Sequence, residues 1–189
     1  MTFTARYLSE KLNINFAKFT RWSREFLPPD PKAGKGKGVY RQYSINDAFT
    51  VYLGGHMVGE LKLSIPDANM ILSDLNSFLV EKSLYPDVKN VKIDGIDKDI
   101  QRYVIIIMSK KPYGFYYLSK GKISKKTIDY KGLSAVEEIY FEYPIKKYDN
   151  TIYVDEINQK ILEISKIRDL FLLTLIGTLK YEDENKFLI

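Results

Sequence analysis

The chain has 189 residues, 45% apolar and 14% aromatic, with a net charge of +5; that is enough apolar material to fill a core and excludes wholesale disorder. It has no cysteine and a single histidine, His56, which excludes disulfide frameworks, thiolate chemistry and multi-histidine metal sites. Its longest apolar stretch, residues 170–179, is too short to span a bilayer and its first residues lack a signal-peptide pattern, so we expect a cytoplasmic protein.

Charge is unevenly placed. Residues 1–43 hold nine Lys and Arg against three acids, whereas the remaining 146 residues carry 20 basic and 21 acidic groups. This asymmetry predicts a polyanion-binding module joined to a nearly neutral partner domain, with nucleic acid as the first candidate because clustered cations displace counterions from phosphate. The competing reading is a solvated basic surface.

The first predicted helix covers residues 4–12, capped by Thr4 and ended by Asn13, with Ala5, Leu8 and Leu12 at helical spacing. A second, over residues 16–26, is capped by Asn15, stapled by Ile14 and stopped by Pro28 and Pro29. Phe16, Phe19, Trp22, Ser23 and Phe26 fall in one arc of it; Ala17, Lys18, Thr20, Arg21, Arg24 and Glu25 fill the other. One face is expected in the core and the opposite face is basic. Two short helices joined by a tight turn, the second basic, form an arrangement able to place that second helix in a major groove.

Residues 27–38 are too rich in Gly and Pro for a helix or central strand. They do not satisfy G-x-x-x-x-G-K-[ST], so a nucleotide-cradling loop is not expected. The alternation of Gly with Lys35 and Lys37 suits a wing whose ammonium groups track phosphates, with residues 39–43 as its return strand. Ser44 to Asp47 form a capping signal for a third helix that Gly54 and Gly55 weaken or bend, with His56 as a packing residue. Ser64, Pro66 and Asp67 open a fourth, with Ala68, Ile71, Leu72, Leu75, Phe78 and Leu79 along one stripe.

This order, with Leu27-Pro28-Pro29 and the run Gly38-Val39-Tyr40-Arg41-Gln42-Tyr43-Ser44, resembles the winged helix-turn-helix domain of the MerR family of transcriptional regulators over about residues 3–80. The resemblance implies a homodimer on double-stranded DNA. It implies a recognition helix in the major groove, with Arg41 and Tyr43 at phosphate and Tyr40 in the hairpin core or at the DNA. Thr20 stands where that family usually has an arginine, so the phosphate contact is either absent or taken over by Arg21 or Arg24, and the Gly-Lys tract is longer than a typical wing. The expected DNA-binding set is Ala17, Lys18, Thr20, Arg21, Arg24, Lys35, Lys37, Tyr40, Arg41 and Tyr43.

The resemblance lapses after residue 80. We expect domains at 1–82 and 99–189 with a linker at 83–98, the second serving dimerisation or effector sensing. Short β-branched and aromatic runs predict strands at 102–108, 114–118, 122–130, 139–143 and 151–154, followed by one long helix over 155–179. The expected fold class is α+β. Tyr113, Phe115, Tyr117, Tyr140 and Tyr143 are candidates for a small-molecule effector pocket, with core filling or a dimer interface as the alternatives. Asp94, Asp97 and Asp99 lack the order of a calcium loop, and no acid–base pair or nucleophile constellation is identifiable. The expected function is a sequence-specific DNA-binding regulator without cofactor, metal or enzymatic activity. The alternatives are an excisionase-like architectural factor and a winged-helix module for protein contact.

Overall fold

A computed structural model describes residues 2–30, 40–86, 102–110, 113–145 and 154–186. Among them the protein is mixed α+β, with five helices and two sheets. It divides into a unit of residues Met1–Val88 with Ile167–Ile189, and a unit of Lys89–Lys166.

In the first unit, strand β1 (Phe3–Thr4) leads into α1 (Ala5–Lys11), and Thr4 Oγ1 accepts the Tyr7 N–H at 3.3 Å as its cap. Asn13, at φ 51°, ends α1: its N–H reaches Glu10 O at 3.2 Å and the Ile14 N–H reaches Ser9 O at 2.8 Å. This pattern satisfies the last carbonyls of α1 and reverses the chain within a few residues, so that α2 (Phe16–Phe26) begins at once. Strand β2 (Gln42–Tyr43) pairs antiparallel with β1, Phe3 opposite Tyr43. Within the described residues the expected return strand thus closes on the start of the chain.

The Ser44–Asp47 capping box opens α3 (Ile45–Gly59), and Ser64 with Pro66 opens α4 (Ile65–Glu81). Gly54 and Gly55 do not interrupt α3; they are buried within it. A Cβ on Gly54 would lie 2.5 Å from the Phe26 ring, so the missing side chains let α2 lie close against α3. Leu8, Phe19, Phe49, Leu53, Ile71 and Leu75 form the centre of this unit. Burial pushes the phenols of Tyr52 and Tyr85 up from their ordinary value, a hydrogen bond with Thr50 partly offsetting the effect at Tyr85.

The second unit is an antiparallel sheet of order β5-β4-β3-β6, formed by β3 (Arg102–Lys110), β4 (Phe115–Tyr130), β5 (Leu133–Pro144) and β6 (Val154–Leu162). The two runs expected at 114–118 and 122–130 are one strand continuing through Gly121. Tyr103 and Phe141 pair with Gly121 from either side, and their rings meet 5.4 Å apart, an aromatic cover for a residue with no side chain of its own. Lys120 and Glu142, also directly paired, form a 2.8 Å ion pair.

The helix expected over 155–179 is corrected. Residues 154–162 are strand, Ile161 pairing with Ile106, and α5 runs over Ile164–Lys186. The apolar strand β3 has a second edge to hydrogen-bond, and pairing there outweighs the helical spacing of Ile157 and Ile161. Ser165 Oγ accepts the Tyr103 N–H at 2.8 Å. The expected domain division also differs from the observed one, because from Ile167 onward α5 belongs with the N-terminal helices. There the Phe171 ring lies 5.3 Å from Phe49 and 5.4 Å from Tyr52, and Arg168 Nη1 donates to Ser83 O at 3.4 Å.

Candidate nucleic-acid interface

The geometry of α2 follows from its ends. Asn15 Oδ1 accepts the N–H groups of Ala17 and Lys18 at 3.0 and 3.2 Å, satisfying the first turn. Pro28 and Pro29 prevent continuation, and Asn69 of α4 donates to the Glu25 carbonyl at 3.1 Å. Phe19, Trp22, Ser23 and Phe26 are buried. Within that apolar face Ser23 Oγ and Tyr43 Oη share a buried hydrogen bond of 2.8 Å, and the Phe19 and Tyr43 rings meet edge-on at 5.5 Å. Apolar packing and one polar tie therefore fix the rotation of α2 about its axis.

That rotation turns Ala17, Lys18, Arg21 and Arg24 outward, all exposed, with Thr20 half-exposed. Among the described residues none of Lys18, Arg21 and Arg24 is held in an ion pair. Lys18 leans over the Trp22 ring at 5.8 Å, and Arg24 Nε donates to Thr20 O at 3.4 Å. The Thr20 hydroxyl donates to Phe16 O at 2.8 Å, so its proton is spent on the helix itself. The face carries three cationic tips and small side chains, with the exposed Glu25 as its one acid, on a rigid support, a net positive surface suited to a polyanion.

Beside it, Arg41 Nη1 donates to Pro28 O at 2.9 Å and the guanidinium stacks 5.6 Å from the Tyr43 ring. Half-buried, Arg41 ties its segment to the end of α2 while its other N–H groups remain for a ligand. Tyr40 is 78% exposed, which corrects a place in a hairpin core. Tyr43 is corrected as a direct contact. It is only 3% exposed and its hydroxyl is engaged by Ser23, so its visible role is to position α2. Lys35 and Lys37 lie outside the described residues.

Phe16 is also corrected: it opens α2 with 51% of its surface exposed, although its angular position is that of the core face. Periodicity gives the side of a helix a residue occupies, but not how far along the axis the core extends. The Ser23–Tyr43 tie was missed as well. Its only sequence signal is a serine inside an otherwise aromatic stripe, which calls for a buried partner.

The five pocket candidates do not form one wall. Tyr117 and Phe115 are buried core, and Tyr143 shares their face through its pairing with Ser119. Tyr140, opposite Lys122, lies on the other face and is exposed, as is Tyr113. Among the described residues no group of three His, Asp or Glu could hold a metal ion, and no helix is long and apolar enough to cross a membrane. Comparison with family models, with characterised proteins and with solved structures finds no match to this chain.

Proposed function

We propose that the chain is a sequence-specific DNA-binding regulator of MerR-like type, with α2 as its recognition helix. The observation that carries this reading is the outward row of Ala17, Lys18, Arg21 and Arg24 on a helix anchored from behind by Phe19, Trp22, Ser23 and Phe26. An α-helix with its side chains is about 10–12 Å across, and a major groove about 12 Å wide admits it. Arg21 and Arg24 have the forked donors that read guanine edges or clamp phosphate, and Lys18 supplies a point charge. Lys35, Lys37 and Arg41 add phosphate contacts.

Two copies read a pseudo-palindromic site, since one domain of this size offers limited contact. The second unit supplies pairing, effector sensing or both. Selection from a random duplex library tests the reading. Enrichment of a two-part motif with a discrete footprint supports it; continuous loading with strong bending favours an architectural factor; no enrichment at low salt overturns DNA binding.

A further inference from the structure

Four aromatic residues lie on α2, and three of them, Phe19, Trp22 and Phe26, are buried. Phe16, the first residue of the helix, keeps 51% of its surface in water. Its exposed neighbours are Ala17, which adds a methyl group, and Lys18. One turn on, Thr20 has turned its hydroxyl proton back to the Phe16 carbonyl at 2.8 Å. The leading turn of α2 thus offers apolar carbon and no side-chain hydroxyl donor, on the same helix that carries Lys18, Arg21 and Arg24 along its outward arc.

A helix that carries cations along one arc and an exposed ring on its first turn favours an occupant that is a polyanion with an apolar feature of its own. A DNA major groove meets that description, because among the base edges displayed there the C5-methyl of thymine is the apolar group. N-terminal residues of a recognition helix are the ones that reach base edges. Resting on the DNA-binding reading above, we infer that Phe16 is a specificity-determining residue that packs on a thymine methyl in each half-site. Arg21 and Arg24 anchor the helix, and the Phe16 ring selects the base pair under its first turn.

Deoxyuridine removes that methyl and leaves Watson–Crick pairing intact, so replacing the thymines of the selected duplex one at a time isolates the contact. The wild type should bind about fourfold more weakly at one position in each half-site, the worth of one buried methyl. Phe16→Ala should bring the thymine-to-deoxyuridine ratio at that position to about one while the thermal midpoint holds, and Phe16→Leu should keep part of the ratio. A wild type indifferent to every deoxyuridine, or a Phe16→Ala variant that keeps the full ratio, overturns the inference and leaves the DNA-binding reading standing. A wild type that binds no duplex overturns both.

Discussion

Trp22 of α2 lies so close to Gly55 of α3 that a Cβ on the glycine would sit 2.3 Å from Trp22 Cζ3. The indole is buried on that side and carries Lys18 above it at 5.8 Å, so this contact sets the depth at which the basic helix rests on the core. Gly55→Ala should therefore destabilise the first unit by about 1–3 kcal/mol, the usual cost of overpacking. Gly59, also in α3, has nothing within 4 Å of a built Cβ, and Gly59→Ala should instead stabilise by up to about 1 kcal/mol through helix propensity. Chemical denaturation of the two variants measures the opposite signs.

Tyr43 separates positioning from contact. Tyr43→Phe strands the buried Ser23 hydroxyl, at about 1–3 kcal/mol of stability, but removes no group from the exposed basic face of α2. Denaturation midpoints should fall, while duplex affinity, measured well below the midpoint, keeps the wild-type value. A several-fold loss of duplex affinity in the folded variant would return Tyr43 to the phosphate backbone.

In the second unit Gly121 is held under Tyr103 and Phe141, and a Cβ there would lie 2.2 Å from Arg102 O and 2.5 Å from Phe141 Cζ. Backbone cannot give way as a flexible side chain can. Gly121→Val should cost at least about 1–3 kcal/mol, and hydrogen exchange should show faster opening of β3 and β4 amides than of α2.

Alkaline pH should weaken the first unit. Burial raises the phenol pKa of Tyr52 and of Tyr85 above the ordinary value, so the folded state disfavours phenolate relative to the unfolded chain. That stability is fully present below about pH 10 and is lost as pH rises through the raised folded values. The thermal midpoint should fall above about pH 10, and the double variant Tyr52→Phe/Tyr85→Phe should fall less steeply over the same range.

What the sequence made legible was local chemistry. Thr4, Asn15, Ser44 and Ser64 each cap the helix their residue type predicts, because a cap needs only an acceptor within three residues of an orphan N–H. The cationic side of α2 was legible for the same reason, one helix and its period being enough. Features set by distant partners were not. Gly54 and Gly55 read as weakening or bending their helix until Phe26 and Trp22 are seen against them. Residues 155–162 read as helix because Ile157 and Ile161 fit its spacing, yet Ile161 is exposed on a strand whose existence depends on β3, some fifty residues earlier. Tyr43 read as a DNA contact because nothing adjacent to it reveals Ser23 as its partner.

We propose that the exposed cations of α2 meet phosphate and base edges. A salt titration of duplex affinity, run on the wild type and on Lys18→Ala/Arg21→Ala/Arg24→Ala, tests it most directly. The wild type should lose affinity with a log–log slope of about 3 to 4 per monomer, for on the order of four phosphates, and the variant slope should be smaller by about 2 to 3. The thermal midpoint should stay nearly unchanged because all three side chains are exposed. Equal affinity and equal slope in the two proteins would contradict the account.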